Sequence, residues 1–383
     1  MTVMDKIFQF IRSQYPGEHP IGLHFPRFKG NEKKYLMECI DTTMVSSVGP
    51  FVNRMESEIA KYTQSNFAVA TVNGTAALHI ALQLVGVKRD DLVITQSFTF
   101  IATANAISYM GAIPYFVDID EKNLGMSPQS LVILEKDLDR RSDGVYHVPT
   151  QRRIGAVVPM HSFGMPCDIE EIASWCNQWE IPLIEDAAES IGSLYKGKHT
   201  GTFGQVGIMS FNGNKTITAG GGGVILTNDE KLAQRAKHLT TQAKLPHPYE
   251  FEHDEIGYNY RCPNLNAALL CAQLEYLDDI LEDKRNLAAE YSRFFEECTP
   301  YFRFVTEDNY KLSNYWLNSL IFDSKEVKEI FLKRSVELGI QVRPAWKPMH
   351  YLPMFQDAPR GDLFQTEWVY DHLVNLPSST RIR

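Results

Sequence analysis

The chain has 383 residues, enough to bury a large core, so two domains or one large domain with a cap are expected. With 44% hydrophobic and 22% charged residues it has the composition of an ordinary soluble globular protein. A net charge of −9 argues against non-specific binding to nucleic acid or acidic membranes, so any anionic ligand must meet a local cluster of cations.

Cys39, Cys167, Cys176, Cys262, Cys271 and Cys298 are scattered singly. Without a CxxC pair or a Cys/His ligand spacing they signal neither a zinc site nor a disulfide framework, and they fit a reducing compartment. Residues 1–15 mix Asp5, Lys6 and Arg12 into an apolar stretch, which reads as a short amphipathic helix and not as a signal peptide. No run reaches the roughly 18 apolar residues of a membrane span, so a cytoplasmic protein is expected.

In chain order, helices are predicted at 31–42 and 51–62, a strand at 67–72 and an Ala- and Leu-rich helix at 75–85. A strand at 92–95, a helix at 99–110 and a strand at 114–119 follow, and Ser127-Pro128 opens the next helix. A strand at 154–160 precedes a helix through Trp179 that Asp168-Ile169-Glu170-Glu171 is expected to start as a capping box. Strands at 181–184, 205–211 and 223–227 complete the alternation. Such a pattern predicts an α/β domain with a mostly parallel central sheet flanked by helices, and a site at the carboxyl edge of that sheet. Beyond residue 250 a long charged helix (263–295), strands near 315–322, a helix at 325–338 and a strand at 339–343 read as a smaller α+β domain. The predicted domains are therefore 1–250 and 251–383.

The stretch 206–227 runs from an apolar strand through Lys215 and four glycines (220–223) into a second strand. A lysine in apolar surroundings loses its proton more easily and can form a Schiff base, although a lone lysine in a turn is usually just a solvated cation. Asn73-Gly74-Thr75 lies at a strand-to-helix junction, where free N–H groups form either an anion cradle or a simple cap. Asp186, in Glu185-Asp186-Ala187-Ala188-Glu189, ends a buried strand. It is either half of a salt bridge or the partner of a protonated ring nitrogen. Phe100 opens a helix and is either core or a platform for a ring, and Ser210 adds a hydroxyl. There is no GxxxxGK[ST], and no GxGxxG opens a helix, so kinase-like and dehydrogenase-like readings drop out. All the singled-out residues fall at strand ends, a combination that points to a pyridoxal phosphate site.

Five ordered motifs carry a resemblance: Gly74-Thr75-Ala76-Ala77-Leu78, 97–106, 185–190, 210–215 and Gly257-Tyr258-Asn259-Tyr260-Arg261. Over nearly its whole length the chain resembles the DegT/StrS-type sugar aminotransferases, which are fold-type I pyridoxal phosphate enzymes. The resemblance implies that Lys215 is the Schiff-base lysine, that Asp186 pairs with the pyridine nitrogen and that Phe100 stacks on the ring. It also implies that Gly74, Thr75 and Ser210 hold the phosphate and that Glu189 belongs to the cofactor site. Asn259 and Arg261 match positions that reach the phosphate from a neighbouring subunit, which implies a homodimer with shared sites.

More narrowly, residues 30–34, 45–49, 343–350 and 375–379 resemble the legionaminic-acid and bacillosamine pathway aminotransferases of bacterial surface-glycan synthesis. Those enzymes aminate C4 of a nucleotide-linked 4-keto-6-deoxy-N-acetylglucosamine, with glutamate as the expected donor and pyridoxamine phosphate carrying the amine between half-reactions. Arg343, Lys347 and His350, with Arg27 and Lys29, could supply the charge that a sugar diphosphate needs. The chain departs from many relatives at Asn212 (His), Gly221 (Glu) and Glu189 (Gln), which bears on contacts to the sugar. Alternatives are a dehydratase of the same fold, an aminotransferase for another keto-sugar (perosamine-type, pseudaminic-type or not nucleotide-linked), and a regulatory protein that binds the cofactor without turnover. Relatives with dehydratase activity carry His in place of the lysine, so Lys215 argues against the first.

Overall fold

Strands buried on both faces need helices on both sides, and this chain supplies them in alternation. The computed structural model describes residues 2–298 and 301–381. Its central sheet runs in the order Phe67–Thr71, Gly223–Thr227, Val206–Ser210, Ile184–Asp186, Arg152–Val158, Leu92–Gln96, Ile113–Val117. The two halves join through parallel bridges from Val157 to Leu183 and from Met160 to Asp186. Of these seven strands only Gly223–Thr227 runs against its neighbours, so the expected mostly parallel sheet is found, and the hairpin Leu138–Arg141 and Gly144–His147 adds antiparallel pairing to the start of Arg152–Val158.

The helix Gly74–Leu84 packs on this sheet and buries almost its entire circumference, because small residues (Ala76, Ala77, Ala81) let it approach closely. The carboxyl ends of the parallel strands share one edge. Thr71, Gln96, Val158, Asp186 and Ser210 therefore all lead into loops on the same side, which fixes where a ligand can sit.

A second, antiparallel sheet has the order Phe302–Phe304, Asn318–Phe322, Leu373–Leu376, Arg343–Pro344. The N-terminal helix Val3–Gln14 belongs to this layer. Its Ile7, Phe8 and Ile11 pack with Leu287, Tyr291 and Phe331 of the C-terminal half. A reciprocal capping box between Thr2 and Asp5 starts it. Conversely, the helix Asn264–Leu274 packs against Glu32–Asp41 and Pro50–Thr63 beside the large sheet. Packing thus does not follow a single cut near residue 250.

Three local expectations are corrected. The helix predicted at 263–295 is two helices, Asn264–Leu274 and Leu277–Glu296, because Tyr276 leaves helical geometry to bond Glu32 through its hydroxyl. Asp168 makes no capping bond, since its carboxylate accepts from Lys311 (2.7 Å) and Asn123 (2.8 Å) instead. Around 339–343 the only strand among the described residues is Arg343–Pro344, with Ile340 making a single parallel bridge to Ile21, and Leu373–Leu376 is a further strand.

Lys284 lies fully buried where the two layers meet. Its Nζ donates to the carbonyls of Ser378 (2.6 Å) and Trp316 (3.2 Å) and lies 3.1 Å from His24 Nε2. Burial pushes this lysine down to about 7 from the ordinary 10.5. Between those two pH values the unfolded chain holds a proton that the folded chain has lost, so stability contributed at this site rises with pH. Below about pH 7 both states are protonated and the cost of burial is complete. Urea unfolding of cofactor-free protein at pH 6.5 and pH 9 is expected to move wild type relative to Lys284→Met by on the order of 2 kcal/mol in favour of wild type at the higher pH. An unchanged difference would contradict the assignment.

Candidate active site

At the end of Phe67–Thr71 the backbone turns through Asn73, whose side-chain oxygen accepts from Ala76 N at 2.8 Å and caps the helix Gly74–Leu84. The N–H groups of Gly74 and Thr75 have no protein acceptor among the described residues, and they point the positive end of the helix at the loop side of the sheet. A Cβ on Gly74 would stand 2.8 Å from Cβ of Ser210, so glycine is what lets the two strand ends close around this point. With the hydroxyls of Thr75 and Ser210, the junction presents neutral donors only. It is a cradle for an anion.

This cradle is one end of a cavity of about 320 Å3 that Phe100, Asp186, Glu189, Lys215, Trp316 and Trp346 also line. Phe100 precedes the helix Ile101–Tyr109 and is 47% exposed, with its ring 6.1 Å from that of Trp346. An aromatic side chain left this open on a cavity wall offers a face for stacking.

The strand Ile184–Asp186 sets the roles of the carboxylates. Glu185 points away from the cavity, accepts from the N–H groups of Gly201 (2.7 Å) and Gly204 (2.8 Å), and meets His161 Nε2 at 3.1 Å. The Cys167 N–H donates to Nδ1 of that imidazole, so Nε2 carries the proton that faces Glu185. Asp186 points into the cavity. Burial pushes its carboxyl up, while the Thr103 hydroxyl (2.7 Å), the Ala188 N–H (3.2 Å) and the charge of Lys215 pull it down.

Glu189 is also buried, which pushes it up to about 7 against the charge and hydrogen bond of Lys215. Its Oε1 lies 3.0 Å from Lys215 Nζ, and its Oε2 accepts from Phe163 N at 2.9 Å. Phe163 holds a left-handed backbone (φ 57°) to make that bond, an uncommon conformation for a large side chain. Lys215 extends over the Trp316 ring, with Nζ 4.3 Å from the centroid, and the indole N–H donates to Asn214 O at 2.6 Å. The amine is therefore held between a carboxylate and an aromatic face.

The structure thus brings Gly74, Thr75, Phe100, Asp186, Glu189, Ser210 and Lys215 to one cavity. Arg261 bridges Thr71 at the end of Phe67–Thr71 and Asn259 bridges Thr241, and neither lines this cavity. Asn259 is exposed, and Arg261 has a buried Nε without a partner. Arg343 and Lys347 are exposed on either side of Trp346. His350 is buried away from the cavity, with Nδ1 2.7 Å from Ser97 Oγ and Nε2 3.1 Å from Glu367. Arg27 is paired with Glu18, and Lys29 lies 3.4 Å from Asp279. Trp316, Trp346, Thr103, Met160 and Asn214 were not foreseen. Trp316 falls in the predicted strand region 315–322 and Trp346 in the stretch 343–350, and neither position carries a local signal for a cavity wall.

The donors fit a phosphorylated aromatic ring. The cradle would take the anion, Phe100 a ring face, Asp186 a protonated ring nitrogen, and Lys215 a carbonyl carbon. In fold and site the protein is an aminotransferase of fold type I. It belongs to the DegT/DnrJ/EryC1/StrS aminotransferase family, whose profile matches residues 26–383. It is 39% identical over 333 residues to EpsN of Bacillus subtilis, a chain assigned by name as a pyridoxal phosphate-dependent aminotransferase, with 87% of this chain and 83% of that one covered. It is 35% identical to the GDP-perosamine synthase of Escherichia coli O157:H7 over 94% and 93% of the two chains. Helicobacter pylori PseC, an aminotransferase of pseudaminic acid biosynthesis, superposes with a TM-score of 0.86 over 96% and 95% of the chains at 22% identity. At that identity the match to PseC speaks for the fold.

Proposed function

We propose that this chain is a pyridoxal phosphate-dependent sugar aminotransferase that moves the amino group of glutamate to C4 of a nucleotide-linked 4-keto-6-deoxy-N-acetylglucosamine. The observation that carries the reading is the position of Lys215: 12% exposed, paired with Glu189 at 3.0 Å, in the same cavity as the anion cradle and Asp186. When bound, pyridoxal phosphate supplies a carbonyl that can exchange oxygen for an amino group and a ring that draws electrons from the reacting carbon.

The protein does the rest. Gly74, Thr75 and Ser210 anchor the phosphate, and Phe100 orients the ring plane. Asp186 keeps the ring nitrogen protonated. Lys215 moves the proton at the reacting carbon, and Glu189 and Trp316 hold its amine in reach. The GDP-linked product in the name of one relative supports a nucleotide-linked substrate. Arg343 and Lys347 flank the cavity-lining Trp346 in sequence and are exposed, outside the cavity lining, and we assign them to its phosphates as cations near the mouth.

Residues outside the cavity support a homodimer. Arg261 Nε lacks a partner, Asn259 is exposed, and Met37, Ile40, Met44 and Val48 form an apolar surface on and after the helix Glu32–Asp41. Sedimentation velocity of the holoenzyme distinguishes dimer from monomer. Among the described residues no helix is long and apolar enough to cross a membrane.

The test of the substrate is product analysis. Holoenzyme and glutamate are incubated separately with the UDP-linked acetamido keto-sugar and with GDP-linked 4-keto-6-deoxymannose, and mass spectrometry reads replacement of the keto oxygen by an amino group. Amination of the UDP sugar is expected. Amination of the GDP sugar alone would move the enzyme to a perosamine-type activity, and amination of neither, in protein that binds the cofactor, would overturn the sugar assignment.

A further inference from the structure

The groups behind Asp186 form a chain. Thr103 Oγ1 lies 2.7 Å from Asp186 Oδ2, Thr99 Oγ1 lies 2.9 Å from Thr103 Oγ1, and Thr99 Oγ1 lies 3.0 Å from Met160 Sδ. All four side chains are buried. Each hydroxyl has one proton to give. If Asp186 is ionised it only accepts, so Thr103 gives its one proton to Oδ2, a hydrogen bond strengthened by the charge. Thr99 donates to Met160 Sδ and sets its oxygen against that of Thr103, which fixes the Thr103 side chain in place. The Ala188 N–H on Oδ1 favours the same ionised form.

We infer that Thr103 is a positioning residue that holds Asp186 ionised and turned toward the ring nitrogen of the cofactor. The inference rests on the reading of Asp186 as that nitrogen's partner. Phe100 and Thr103 lie one helical turn apart at the start of the Ile101–Tyr109 segment. The residue that faces the ring and the residue that sets the carboxylate are therefore carried by one rigid element.

The charged or titratable groups that face Asp186 are Lys215, which favours the anion, Glu189, which opposes it, and His161, whose Nδ1 accepts from the Cys167 N–H and leaves the ring neutral. None of them replaces a donor on Oδ2. Without Thr103 the buried oxygen lacks its donor, and the carboxyl takes up a proton as the pH falls. Its hold on a protonated ring nitrogen is lost with it.

The test measures the dissociation constant of pyridoxal phosphate from cofactor-free protein at pH 6.5 and 8.5, with the visible absorbance band recorded at each. Thr103→Val is expected to bind roughly ten-fold or more weakly at pH 6.5 and to recover toward wild type at pH 8.5. Thr103→Ser is expected to match wild type at both. Asp186→Asn, run alongside, is expected to bind weakly at both pH values without the pH dependence. If Asp186→Asn binds and absorbs like wild type, the reading of Asp186 fails and the inference with it. If Asp186→Asn is weakened while Thr103→Val matches wild type at both pH values, the inference alone is overturned. Should Thr103→Val not fold, Thr103→Ala is measured in its place, with the same pH dependence expected and no change counting against the inference.

Discussion

Lys215→Ala is expected to lower transamination by at least about 10⁴-fold while leaving pyridoxal phosphate able to bind. The cradle of Gly74, Thr75 and Ser210, the Phe100 face and Asp186 are built by other strands and do not depend on this side chain. What disappears is the amine itself. Lys215→Arg separates the amine from its charge, since a guanidinium can keep the contacts to Glu189 and Trp316 but stays protonated at every working pH. It is expected to be as inactive as the alanine variant. Glutamate-dependent turnover and cofactor retention after gel filtration check both variants. Substantial turnover in Lys215→Ala would remove the lysine from the mechanism, and activity in Lys215→Arg would reduce its role to charge.

Asp186→Asn keeps the shape of the side chain and removes its charge. The carboxylate is 2% exposed, so a ring nitrogen opposite it would feel the charge in a poorly screened environment. Loss of one such buried, preorganised electrostatic contact costs on the order of 10² to 10³ in kcat. The loss is expected in kcat with little change in KM for the sugar, because the carboxylate is placed to act on the cofactor and not on the nucleotide. Steady-state kinetics with both substrates varied reads this split. A kcat within threefold of wild type would mean that Asp186 is a structural acid held by Thr103 and Ala188.

The legible parts of the site are those set by short-range sequence. Asn73-Gly74-Thr75 ends a strand and starts a helix whose first N–H groups must be free, and that follows from the backbone alone. The alternation of strands and helices likewise locates the carboxyl edge and hence the loops that hold Asp186, Ser210 and Lys215. Long-range contacts were not legible. Trp316 lies far along the chain from Lys215, and nothing beside it in sequence says that its ring lies under the amine. Asp168 has the spacing of a capping box, but Lys311, from the distant strand Lys311–Leu312, competes for its carboxylate and wins through charge. The break at Tyr276 carries no Pro or Gly, and the bond of its hydroxyl to Glu32 was equally out of sight. Within Glu185-Asp186-Ala187-Ala188-Glu189, the division between a carboxylate that anchors a loop and two that face the cavity needed the packed strand.

The central claim is that one cavity performs both half-reactions, and an absorbance spectrum of the purified holoenzyme tests it most directly. A band near the visible edge that glutamate bleaches and the UDP-linked 4-keto-6-deoxy-N-acetylglucosamine then restores is the predicted result. A band that responds to neither, in protein loaded with pyridoxal phosphate, would contradict the claim and leave a protein that binds the cofactor without turning it over.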